Sequence, residues 1–146
     1  MNQQAKISKS WHIGLWIVQI LLAAMFLMGG STVAFTPVEV LAPKMSFVNY
    51  YSPLAVKLIG LSEVVGALGL ILPSLLRIKP LLTPLAALGL MTVMILAVIY
   101  HFNHGEAAGS GFPAVLGLIA AFVAWGRFKK APISAKKQPI LHSNQF

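Results

Sequence analysis

Apolar residues run almost unbroken along this chain, and charged residues mark where the runs stop. From Trp11 to Phe35 there is no Asp, Glu, Lys or Arg. At about 1.5 Å per residue, this stretch is longer than the roughly 30 Å hydrocarbon core of a bilayer, so it predicts a spanning helix with some tilt. It also exceeds the roughly 7–15-residue apolar core of a signal peptide, and it reads as a retained helix. A second run carries Lys57 and Glu63 inside it and Pro73 near its end. A third begins near Leu81, with Pro84 in its first turn, where a missing N–H costs little. The fourth is short, so it either borrows Ala107–Gly111 or sits in a thinned part of the bilayer. The pattern predicts an all-α membrane protein, a four-helix transmembrane bundle with helices at about 11–35, 54–76, 81–102 and 112–127.

Between the spans the punctuation is clear. Pro37, Pro43 and Pro53 break the connection after the first helix, and Phe47, Tyr50 and Tyr51 in it suit a membrane–water interface. Arg77-Ile78-Lys79-Pro80 predicts a tight turn. Residues 1–10 form a short polar segment. Residues 128–146 form a basic tail, polar and interrupted by Pro132 and Pro139, with no expected fixed structure.

Composition agrees with the membrane assignment. Of the 146 residues, 58% are hydrophobic and 10% charged, whereas a soluble domain carries about 25% charged residues. The absence of cysteine excludes a disulfide framework, a thiolate zinc site and thiol-relay redox chemistry within the chain. The net charge of +8 raises a nucleic-acid reading, which its distribution opposes. Lys6, Lys9, Arg77, Lys79, Arg127, Lys129, Lys130, Lys136 and Lys137 all fall on one side of a four-span topology. That is the positive-inside pattern, which places both termini in the cytoplasm and the tail beside anionic head groups, with no nucleic-acid partner.

Chemistry concentrates in few residues. Glu63 lies ten residues beyond Pro53, about 15 Å along the helix axis and near the bilayer midplane. A carboxylate there must be protonated, paired or turned to a wet cavity. Gly60, Ser62, Gly66 and Gly69 surround it at helix-packing spacing, so Glu63 is expected to face into the bundle. Lys57 is six residues earlier, about 120° round the helix, too far round for a direct ion pair. It either snorkels to the head groups or joins a polar site. Gln19, in the first span, matches Glu63 in depth and either satisfies it or glues helices together. His101, His104 and Glu106 gather at the far end of the third span, level with Lys57. His-x-x-His-x-Glu suits zinc or iron in principle, but with no thiolate partner it assigns no metal site. Met28, Met91 and Met94 read as packing. No phosphate loop, dinucleotide fingerprint, zinc-protease motif or nucleophile elbow is present, so catalytic residues remain unassigned.

The stretches KLIGLSEVVGALGLILP and RIKPLLTPLAALGLMTVMILAVIYHF, with Glu106 and the closing WGR, resemble the DoxX-like family of small four-helix membrane proteins. The resemblance spans about Trp11 to Arg127 and is densest between Leu54 and His101. It implies a four-helix bundle with cytoplasmic termini, and it carries Lys57, Glu63 and His101 over as a polar site. Some members are named as subunits of thiosulfate:quinone oxidoreductases or redox-associated membrane complexes; more distant relatives are linked to membrane-protein assembly. The implied reading is a multi-pass inner-membrane component that binds a quinone or another lipophilic molecule. Its implied partners are the lipid bilayer and either redox-complex subunits or further copies of itself. The alternative is a non-catalytic assembly partner. A small transporter is less favoured, since four spans are few and no inverted repeat is visible.

Overall fold

The computed structural model describes residues 8–137 and Pro139. Most of the 1–10 segment and the end of the tail therefore lie outside the described residues. Four long helices make the molecule: α1 (Lys9–Phe35), α3 (Pro53–Leu76), α4 (Leu82–Asn103) and α5 (Gly111–Trp125). A short helix, α2 (Val38–Leu41), and a 3-10 turn, Ser46–Asn49, fold the connection after α1. A second 3-10 turn, Ala107–Ser110, leads into α5, and a π-helical turn, Gly126–Lys130, continues it. With these turns the fourth apolar segment runs Ala107–Lys130, long enough to cross a membrane like the other three. The short fourth helix thus does borrow Ala107–Gly111.

Local chemistry sets the helix ends. The Ser52 hydroxyl accepts a hydrogen bond from Ala55 N–H at 3.2 Å and Pro53 fills the first helical position, a standard start for α3. At the other end of α3, Arg77 and Lys79 adopt positive φ (56° and 46°) and turn the chain within a few residues into α4. Ser74 donates to Thr83 at 2.7 Å across this turn, both side chains buried.

The helices alternate in direction. α1 packs on α3, α3 on α4 and α4 on α5, while α5 closes back on α1. One core, including Leu22, Phe26, Leu70, Leu90 and Val123, runs through the bundle. A smaller one, Val33, Leu41, Val48 and Val56, sits under the loop after α1. The outer surface is apolar: Met28 and Leu118 are each 71% exposed, and Leu21 is 62% exposed. Such a surface belongs in lipid, where the helices satisfy their own backbone hydrogen bonds.

Glycines decide the tightest contact. A Cβ on Gly60 would lie 2.5 Å from Ala34 N and 2.7 Å from Gly30 O; one on Gly30 would lie 2.8 Å from Gly60 O. Here α1 and α3 touch backbone to backbone, the close approach that small residues permit in membranes. Gly66 and Gly69 face α4 instead, against Leu90 and Ala86. Ser62 is exposed and its hydroxyl donates back to Ile59 O at 2.7 Å.

The tail departs from expectation. As far as Lys137 it has no regular secondary structure but is pinned, with Arg77 Nε donating to Ser134 O and Lys136 N–H donating to Arg77 O, both at 3.0 Å. The left-handed Arg77 thus presents its side chain and its carbonyl to the same segment. Ala131 is fully buried. The tail therefore covers the basic end of the bundle.

Candidate functional site

Glu63 lies at the α1–α3 crossing, half-buried. Its Cβ sits 2.7 Å from where a Cβ on Gly30 would be, and its Oε2 lies 4.0 Å from the same point on Gly29. The two α1 glycines therefore make a shallow notch over which the carboxylate lies. No described side chain or backbone group donates a hydrogen bond to it. An ionisable group at this depth without a protein partner is costly, and it needs either a proton or a partner arriving from outside the chain.

Lys57 does not join it. The Lys57 ammonium donates to Val33 O at 3.1 Å and to Thr36 O. These are among the last carbonyls of α1, which its own helix leaves unpaired. A cation there also complements the negative end of the helix dipole. Lys57 is thus a side-chain cap that ties α3 to the end of α1. Its stem follows the direction that helical side chains take, toward the N-terminus of their own helix.

His101 belongs to a third, separate group. Its Nδ1 lies 3.1 Å from Glu106 Oε2, the one ion-pair geometry among the described residues. Glu106 Oε2 also accepts from Ser46 Oγ at 2.7 Å, and Tyr100 OH donates to Ser46 Oγ at 3.3 Å. His104 turns away, its Nδ1 2.8 Å from Tyr100 O and its ring stacked on Tyr100 at 4.1 Å. His101, His104 and Glu106 therefore do not converge, and among the described residues no three His, Cys, Asp or Glu side chains gather as a metal set.

The Ser46 hydrogen bond, with the histidines adding to it against some desolvation, holds the Glu106 carboxyl below the usual carboxylate range. A group lowered on folding contributes stability above its unfolded pKa and loses it as pH falls through the folded value. Acidifying from about pH 5 to about pH 3 is expected to lower the melting temperature of the wild type more than that of Glu106→Gln. The difference should be small because the side chain is 36% exposed. Equal acid sensitivity would mean that this contact contributes nothing.

Gln19 is far from Glu63 in contacts and central to a fourth group at the basic end. It is fully buried. Its amide donates to Leu70 O, and its oxygen accepts from Arg127 Nε at 2.8 Å. Leu70 O lies one residue from Gly69 O, whose usual helical donor would be the absent N–H of Pro73. Arg127 is 3% exposed. It also donates Nη1–H to Ala131 O at 3.1 Å and approaches His12 Nδ1 at 3.3 Å, and its guanidinium lies 5.3 Å from the Trp16 ring centre. This network joins α1, α3 and α5. Arg127 had counted only as one cation of the positive-inside set. A signal for its burial was present: Leu116, Ala120, Val123 and Ala124 are buried, and Arg127 continues that stripe at helical spacing.

Lys57, Glu63 and His101 thus occupy three distinct places, and no hydrogen bond connects them. Two cavities open at the basic end instead. One of about 370 Å³ is lined by His12, Trp16, Arg77 and Ser134 among others, and a neighbour of about 160 Å³ by Arg127, Ser74, Pro84 and Ile133. No curated protein and no solved structure matches the chain. The sequence from residue 17 to 123 matches one family over most of the bundle, all of α3 and α4 included. With four apolar helices in an antiparallel bundle and that match, this multi-pass membrane protein belongs to the DoxX-like family.

Proposed function

We propose that the protein is a redox-associated component of the inner membrane that binds a quinone, or a lipophile of similar polarity, at Glu63. The supporting observation is the half-buried carboxylate over Gly29 and Gly30, without a hydrogen-bond partner among the described residues and well inside the apolar span of α3. A quinol hydroxyl arriving through lipid would give this carboxylate a hydrogen-bond donor, and a neighbouring carboxyl is able to exchange a proton with it. The family resemblance adds the redox association. Lys57 and His101 take no part in this reading, because Lys57 is bonded to the carbonyls at the end of α1 and His101 pairs through Nδ1 with Glu106. The nine basic positions support termini on the cytoplasmic side.

The assembly reading receives less support. It needs small-residue ridges free to accept a partner helix, and Gly60, Gly66, Gly69 and Gly117 are all occupied by contacts within the chain.

The test is equilibrium dialysis of a short-tailed benzoquinone against the full chain in maltoside detergent. Saturable binding by the wild type is expected. Glu63→Leu should weaken it by about tenfold, equivalent to about 1.4 kcal/mol. Glu63→Gln, which keeps a hydrogen-bonding group, should bind but fail to support quinol turnover in membranes. Absence of saturable binding, or unchanged binding by Glu63→Leu, would remove the proposal.

A further inference from the structure

The basic end of the bundle holds a cation that no described residue neutralises. Arg127 is buried and its neighbours are all neutral acceptors: Gln19 Oε1, Ala131 O and His12 Nδ1, with the Trp16 ring against its face. Its Nη2 is buried and has no hydrogen-bond partner among the described residues. The sequence has three acidic side chains. Glu63 is at mid-depth, and Glu39 and Glu106 are at the opposite end of the bundle. A buried charge without a counter-charge is costly, and so is a buried donor left unpaired.

Space adjoins this cation. Arg127 lines the cavity of about 160 Å³, and Ser74, Pro132 and Ile133 are shared between that cavity and the larger one beside it. The larger cavity adds a second guanidinium, Arg77, and His12. The tail borders both through Pro132 and Ile133 and is fixed by its two hydrogen bonds to Arg77. At the same end of the bundle, Lys130 lies over the Trp11 and Trp125 rings, at 5.7 and 5.3 Å. Tryptophan and lysine at a helix end mark the level of the lipid head groups. The lining of these cavities is largely apolar, with Arg127 and Ser74 as the polar side chains of the smaller one. A guanidinium fork with a spare N–H beside such a space is suited to a phosphate oxygen.

We propose that these cavities form a binding site for a phosphate-bearing anion, with Arg127 Nη2 as its buried donor and Arg77 as its second cation. The anion is either the head group of an anionic phospholipid entering from the leaflet or a free phosphate from solution. This site is separate from Glu63 and stands whether or not a quinone binds there.

Trp16 reports on the site directly. In a Trp11→Phe/Trp125→Phe background it is the remaining tryptophan of the three. The full chain in maltoside detergent, free of phospholipid, is titrated with dioctanoyl phosphatidylglycerol in one arm and inorganic phosphate in the other. A saturable change in Trp16 emission, with a rise in melting temperature, is expected in at least one arm. Response to the lipid alone assigns the head group, and response to phosphate assigns a soluble anion. Arg127→Lys keeps the charge but removes the fork, and should weaken binding about tenfold. Ile133→Phe enlarges the side chain that lines both cavities without touching any bond of Arg127 or adding a second emitter, and should abolish the response with helix content unchanged. No response in either arm overturns the site, as does wild-type affinity in Ile133→Phe. Should Arg127→Lys fail to fold, the Ile133→Phe result decides.

Discussion

Gly60→Ala is expected to be the most damaging single methyl group that can be added to this protein. The new Cβ would lie 2.5 Å from Ala34 N, 2.7 Å from Gly30 O and 2.9 Å from Ala34 Cα. All three are backbone atoms of α1, so no rotamer change relieves the overlap. The helices must separate, and the separation acts on everything near the crossing. Lys57, one turn before Gly60, would be drawn from Val33 O and Thr36 O, and Glu63, one turn after, from its place over Gly29. Overpacking in a close-packed interior costs about 1–3 kcal/mol, and this site belongs at the upper end because the contacted atoms are main chain. Gly89→Ala is the matched control, since a Cβ there meets nothing within 4 Å. Its gain in helix propensity should leave stability equal or slightly higher. Reversible unfolding in mixed detergent micelles measures both. A Gly60→Ala protein as stable as Gly89→Ala would show that α1 and α3 are not packed through their backbones.

The four spans were legible because lipid imposes a simple rule. The first three runs are long enough to cross the hydrocarbon core, the fourth becomes so with Ala107–Gly111 added, and their ends carry charge, aromatic rings or proline. The place of Glu63 along α3, ten residues from Pro53, is legible for the same reason, because rise per residue is fixed in a helix. Azimuth was harder. Gln19 and Glu63 were matched by depth, but depth says nothing about which way a side chain faces once four helices are arranged in a ring. The structure sends Gln19 to Leu70 O and Arg127, and leaves Glu63 over α1. Arg127 was missed for a different reason. A topology argument treats every Lys and Arg at a helix end as facing water or head groups, whereas Arg127 continues a buried stripe. The tail was read from composition, which favoured disorder. Its order comes from two backbone-directed bonds at a left-handed Arg77, and no sequence pattern announces such a pairing.

The Gln19–Arg127 bond carries the second large expectation, and it is a coupling rather than a single loss. Gln19→Leu removes the acceptor of Arg127 Nε and the donor to Leu70 O at once, both inside the bundle. Each stranded buried group costs about 1–3 kcal/mol, more for a charged one, so Gln19→Leu should lose about 3 kcal/mol. Arg127→Met strands the Gln19 oxygen and the Ala131 carbonyl and leaves His12 Nδ1 without its neighbour, but it also removes a buried charge, whose own desolvation had been unfavourable. It should lose less, about 1–2 kcal/mol. The double variant leaves no guanidinium without its acceptor and no Gln19 amide without its partner; its remaining deficits are Leu70 O, beside Pro73, and the Ala131 carbonyl and His12 Nδ1 that Arg127 had met. Replacing both members of a buried polar pair with apolar groups of similar shape is often nearly neutral. The double variant should therefore be more stable than Gln19→Leu alone, with a coupling of about 2 kcal/mol read from the unfolding cycle. Additive losses would mean that the two residues do not act on each other and that Arg127 is held by Trp16, His12 and Ala131. Non-additive recovery would show that Gln19 lies within the first span to carry a single cation, and that the α1–α3–α5 junction at the basic end is organised around it.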